Sequence, residues 1–187
     1  MDALTALHTR VSAPRLGGTS PSPSVVENML KAALRAPDHA LLRPWRFLLI
    51  DGDARLRLGD LFVKAQLADD PTLTEQLAAK ARSKPLRAPL IIVVIARIST
   101  HPSVPEIEQM LSAGAAAHAL MLAAHAQGIG AMWRTGGMAY HQLVNDGLGL
   151  TAEEKIVGYL YVGEVEGNTR VLQPLPIDDF VSKWSGT

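Results

Sequence analysis

The chain has 187 residues, 48% of them hydrophobic and 19% charged, enough to bury one sizeable core, so residues 1–187 read as a single domain. Eighteen basic residues balance eighteen acidic ones, which excludes a bulk electrostatic pull toward nucleic acid or an anionic membrane. There is no cysteine, which excludes disulfide frameworks, thiolate nucleophiles and cysteine-ligated metals.

The opening Met1-Asp-Ala-Leu4 carries an acid and no long apolar run, so no secretory signal is read there. The longest apolar stretch, Pro89 to Ala96, is too short to span a bilayer, and a cytoplasmic protein is expected. Residues 2–9 suggest a short helix, followed by a Gly/Ser/Pro-rich loop from Gly17 to Pro23. Ser24 with Glu27 forms a capping-box pattern, and Val26, Met29, Leu30, Ala33 and Leu34 then follow helical spacing to an end near Ala36-Pro37. Trp45 to Ile50 reads as a buried strand stopped by Asp51-Gly52-Asp53, and residues 54–68 and 72–83 read as helices. Pro89 to Ala96, continuously apolar and β-branched, predicts the central strand. Glu106 to Gln127 predicts one long helix ended by Gly128, with the small-residue stretch Ala113 to Ala126 nearly all buried. Ala131–Thr135 and Lys155–Gly163 complete the strands of an α+β sandwich with helices around a central sheet.

Familiar protein-borne chemistries have no signature here. The chain lacks GxxxxGK[ST], HExxH and GxSxG, and no carboxylate pair stands at helical spacing beside a plausible substrate groove. His118 and His125 fall seven apart on one helical face, but no third metal ligand accompanies them, and core or interface is the better reading for both. No metal is expected, and the hard chemistry falls to a cofactor.

Two segments stand out: Arg35-Ala-Pro-Asp-His39 through Pro44-Trp-Arg-Phe47, and Gly128-Ile-Gly-Ala-Met-Trp-Arg-Thr-Gly136. Glycines flanking Trp133-Arg134-Thr135 let the backbone approach something flat, where exposed N–H groups can meet a heterocycle edge. Gly-Ile-Gly by itself reads equally well as a helix ending. Arg10 and Ser12, after a short helix, pair a fork-shaped cation with a hydroxyl, a combination suited to a phosphate; a solvent-facing Arg10 is the alternative.

The first segment resembles the Ala-Pro, then Pro-Trp-x-Phe turn that leads into the first strand of the FMN-dependent nitroreductase family, and the second resembles that family's helix-turn-strand after the central helix. Ala36-Pro-Asp-His39, the opening Met-Asp-Ala-Leu, Arg87-Ala-Pro-Leu-Ile-Ile92 and Lys155-Ile-Val-Gly-Tyr-Leu-Tyr161 are similar to the small YdjA-type branch of NAD(P)H nitroreductases, from residue 1 to about 165. The resemblance implies a nitroreductase-like three-layer sandwich, a mixed central sheet flanked by helices, in an intertwined homodimer. It implies FMN as cofactor, NADH or NADPH as co-substrate, and a small electron-poor acceptor, a nitroaromatic or quinone, reduced by hydride transfer in two half-reactions. A non-catalytic flavin-binding or scaffolding relative is the alternative.

The resemblance also implies site residues. Arg10, Val11 and Ser12 fall at the phosphate, with Val11 where the family has a second arginine and Pro14 where it has a further cation. Trp133, Arg134 and Thr135 fall at the flavin edge. Arg35 and His39 reach the flavin of the neighbouring chain, although Leu41 and Arg43 depart from the family's small hydroxyl and amide residues, and a lone histidine after Pro-Asp also reads as a turn residue. Ala123, Ala124, His125, Ala126, Gln127 and Gly128 form a nicotinamide dinucleotide contact, or else pack beneath the flavin or along the dimer seam. No side chain is expected to act as acid or base. Arg170 is a candidate for a late phosphate contact.

Overall fold

Strand β3, Leu90–Arg97, runs through the middle of the sheet in the computed structural model, which describes residues 1–169 and 171–186. It pairs with β2, Trp45–Asp51, on one side and with β5, Glu154–Val165, on the other. Flanked in the sheet and covered on both faces, it takes the unbroken apolar run that a half-exposed strand could not. Leu90, Ile92, Val94 and Ala96 face a core built with α2, Pro23–Ala33, and α5, Glu106–Ala126. Ile91, Val93 and Ile95 face a second core, which includes Leu58, Phe62 and Ala65 of α3, Ala54–Asp69, and Val144 of α6, Gln142–Gly147. Three layers result, and each fully buried Ile or Val contributes about 1.5–3 kcal/mol of transfer free energy.

β5 also pairs with β4, Gly130–Arg134, and near its end with the two-residue β1, Leu16–Gly17. Every pairing among the described residues is antiparallel, so the sheet is antiparallel where a mixed one was expected. The helical connections explain this. Between β2 and β3 the chain goes out along α3 and back along α4, Glu75–Ser83, re-entering at the end it left, with Asp51 opposite Leu90. Between β3 and β4 the single helix α5 is a crossover, which makes those strands run the same way; β5 lies between them and opposes both.

The register shifts between Val94 and Ile95, which face Gly158 and Ile156, so Val157 is an extra, bulged residue. Its carbonyl accepts the indole N–H of Trp133 at 3.3 Å. Gly158 makes room for that ring: a β-carbon there would fall inside the indole.

Several local expectations change. The first helix is α1, Ala3–Thr9, with Asp2 as its cap. The Ser24–Glu27 capping box is not formed: Pro23 occupies the first turn, Ser22 is the cap residue, and Glu27 instead pairs with Lys31 at 2.8 Å. α2 ends at Ala33, before Ala36, and α4 begins at Glu75 under a Thr74 cap. α5 is buried along one side only; Gly114, Ala115, Ala119 and Leu122 are half-buried and His118 is exposed, so His118 is not a core residue of the chain. Among the described residues no helix is long and apolar enough to cross a membrane.

Candidate functional site

Arg10 is the residue at which α1 ends; its own N–H bonds the Ala6 carbonyl at 3.1 Å and the chain turns to an extended conformation. Ala13 N–H then donates to the Ala131 carbonyl at 3.0 Å, which lays residues 11–13 beside β4. Arg10 Nη1 is buried without a hydrogen-bond partner among the described residues. A buried guanidinium nitrogen left unpaired costs the full desolvation of that donor, so its environment fits an anion. Ser12 is exposed beside it in sequence, and Val11 lines a cavity of about 490 Å³ with Thr9, His125, Gly128 and Ile129. Arg15 is exposed and Pro14 offers no donor; Arg170 lies outside the described residues.

At the other end of β4, Arg134 and Thr135 enter a cavity of about 200 Å³ together with Gly136, Gly137, Lys84, Arg87, Tyr159 and Tyr161. Lys84 and Arg87 come from a 3-10 turn before β3. Among the described residues no carboxylate lines this cavity and Arg134 Nε is buried without a partner, while its guanidinium lies 5.5 Å from the centroid of the Tyr161 ring. Burial pushes the Tyr161 phenol up, and the positive charges of Arg134 and Arg87 pull it back down. Gly136 turns at φ +86°, and among the described residues no backbone carbonyl takes the N–H of Gly136 or Gly137. Three cations and two free amides around a small hollow suit an electron-rich heterocycle edge. Sequence reasoning missed Lys84 and Arg87: they stand three apart in the chain, but only the fold of the 3-10 turn beside α3 and α4 brings them to the cavity that Arg134 enters.

The Trp133 indole is half-buried, packed against the α2/α5 core near Gly114 and over Gly158, while its backbone runs along β4 toward Arg134 and Thr135.

Arg35 and His39 sit on the loop after α2, away from both cavities. Arg35 lines a third hollow of about 360 Å³ with Asp38, Leu41, Arg43 and Trp45. None of its lining residues is shared with the first two. Ala40, Leu41 and Arg43 have φ of 61°, 55° and 50°, a conformation that costs non-glycine residues of order 1–3 kcal/mol each and marks functional segments. The Asp38 carboxylate holds it by accepting from Leu42 N–H at 3.1 Å and Arg43 N–H at 2.8 Å. His39 Nδ1 lies 2.7 Å from Glu108 Oε2 on α5.

The stretch 123–128 is divided. Ala124 is fully buried and Ala123 packs against the same core. Gln127 is fully engaged, accepting from Asn28 at 3.0 Å and donating to the carbonyls of Ala123 at 2.9 Å and Val25 at 3.4 Å, which ties α5 to α2. Ala126 is exposed. Only His125, which meets the Thr9 hydroxyl at 2.9 Å, and Gly128, at φ +75°, open onto the 490 Å³ cavity. Among the described residues no group of three or more His, Asp or Glu side chains is placed to hold a metal ion.

A three-layer sandwich, an arginine unpaired at the end of the first helix and a glycine turn after the strand that follows the long helix define the class. The Nitroreductase family model matches residues 8–164, and the chain belongs to that family. It is 39% identical over 181 residues to "Putative NAD(P)H nitroreductase YdjA" of Escherichia coli K12, covering 94% of this chain and 96% of that one. Among solved structures it is similar to a nitroreductase-like family protein of Bacillus cereus, with a TM-score of 0.84, 24% identity and coverage of 100% and 97% of the two chains. It is also similar in fold to an FMN and NADPH-dependent nitroreductase, NfnB, of Sphigopyxis strain HMH, with a TM-score of 0.78, 16% identity and complete coverage of both chains.

Proposed function

We propose that the chain is an FMN-dependent oxidoreductase that uses NADH or NADPH to reduce a small electron-poor acceptor, a nitroaromatic or quinone, in the cytoplasm. One observation carries this reading. Of the three buried side-chain polar atoms without a partner among the described residues, two are guanidinium nitrogens of expected cofactor residues, Arg10 and Arg134. Their surroundings fit a ligand with an anionic end and a polar aromatic end, as FMN has. Bound there, FMN supplies the two-electron chemistry that no side chain of this protein offers.

Arg10 and the Ser12 hydroxyl would hold the phosphate, and the amides of Gly136 and Gly137 would meet the heterocycle edge where negative charge arrives. Lys84, Arg87 and Arg134 stabilise that charge without a nearby carboxylate to cancel them. His125 and Gly128 would form the part of 123–128 that a nicotinamide dinucleotide touches.

The site is composite in a homodimer, with Arg35 and His39 contributed by the neighbouring chain; in their own chain, Arg134 lines a different hollow from the one that Arg35 lines. The dimer is supported by the segment 171–186, where Val171, Leu175, Ile177, Phe180, Val181 and Trp184 are all exposed, Trp184 to 89%. A monomer seldom leaves so much apolar surface in water.

Hollows of a few hundred Å³ hold one small partner at a time beside a cofactor, so nucleotide and acceptor must alternate. Initial rates against NADH or NADPH at several fixed concentrations of a nitroaromatic or quinone are expected to give parallel double-reciprocal lines. Intersecting lines would rule out one shared site, and no turnover with any acceptor would favour a non-catalytic flavin-binding relative.

A further inference from the structure

We propose that Glu108 is a positioning residue, whose carboxylate fixes the His39 ring so that Nε2 is presented as a hydrogen-bond acceptor to an N–H or O–H donor of the FMN in the neighbouring subunit. This rests on the reading of His39 as a contact across the dimer.

The geometry starts from the loop. Asp38 takes two backbone N–H groups and holds Ala40, Leu41 and Arg43 at positive φ, so the peptide that carries His39 has a defined shape. That leaves the imidazole its own torsions, and Glu108 removes them from a different element: its Oε2 lies 2.7 Å from Nδ1. An ionised carboxylate has no proton to donate, so Nδ1 carries the hydrogen and, in the neutral ring, the lone pair is at Nε2. The two side chains are 56% and 44% exposed, and an exposed pair of this kind adds little to folding stability. What it does is orient: α5 is anchored in the core by Ala113, Ala116 and Ala117, and through Glu108 that rigidity reaches a side chain on a surface loop. Oxidised FMN offers donors at the isoalloxazine N3–H and at its ribityl hydroxyls, and an acceptor at Nε2 suits either.

The test is FMN titration of the full-length dimer, followed by flavin fluorescence, for wild type, Glu108→Ala, His39→Ala and the double variant. Glu108→Ala is expected to weaken FMN binding about 3- to 10-fold, the scale of one hydrogen bond, with an unchanged unfolding midpoint. In the His39→Ala background the same change should cost nothing. Glu108→Gln keeps the reach but can donate to Nδ1 as well as accept; ¹⁵N spectra of the His39 ring should then show a mixture of tautomers where wild type shows Nδ1–H alone. FMN methylated at N3 distinguishes the two donors, losing affinity for wild type only if N3–H is the one read. A Glu108→Ala loss that persists without His39, or no loss, overturns the inference while the trans contact stands. His39→Ala binding FMN like wild type removes the trans contact and the inference together.

Discussion

Arg10→Ala should weaken FMN binding by roughly 1.5–3 kcal/mol, on the order of 10- to 100-fold, the scale of a charge-assisted hydrogen bond lost from a phosphate. The residue is suited to this because its Nη1 is buried with no partner among the described residues. A purely structural arginine would have found a carbonyl, as Arg55 does at the Ala88 carbonyl, 2.8 Å away. The same argument fixes the sign of the effect on the cofactor-free protein. Removing an unsatisfied buried donor leaves the thermal midpoint of the apo form level or raises it, while the stabilisation gained on adding FMN shrinks. Titration of apo-protein measures the first, and melting with and without FMN measures the second. Unchanged FMN affinity would remove Arg10 from the phosphate.

The second large effect is recovery of activity. If Arg10 serves the flavin of its own subunit and His39 that of its neighbour, a dimer of one Arg10→Ala chain with one His39→Ala chain has one doubly damaged site and one native site. Two poor homodimers should then yield a heterodimer with about half the wild-type activity, provided the sites are independent. Co-expression of differently tagged chains and isolation of the doubly tagged dimer allow its FMN content and NAD(P)H oxidation to be assayed. Activity no better than the mean of the two mutant homodimers means that Arg10 and His39 do not meet across the interface.

How much of this was readable in the chain depends on how local each signal is. β3 and α5 announce themselves, because burial on both faces demands the run from Leu90 to Ala96 and a 21-residue helix demands the stretch from Glu106. Strand direction was not readable, since it depends on whether a connection holds one helix or two and on β5 slipping between β3 and β4. Ser24 and Glu27 matched a capping box, but Pro23 is better suited to the first helical turn than a serine, and the cap moved two residues back to Ser22. Within the site, the turn glycines and Arg10 were legible through the resemblance. The place of the Trp133 indole was not, because it follows from a bulge at Val157 and a missing side chain at Gly158 on another strand. Lys84, Arg87 and Glu108 carried no local mark, since a cation on a surface turn or an acid in the first turn of a helix acquires meaning only from what packs against it.

The central claim is tested most directly by the visible spectrum of the purified protein under anaerobic conditions. The account predicts a bound-flavin absorbance that bleaches when NADH or NADPH is added and returns when a nitroaromatic or quinone follows. A flavin band that neither nucleotide bleaches, or protein that stays colourless after incubation with FMN, would contradict it.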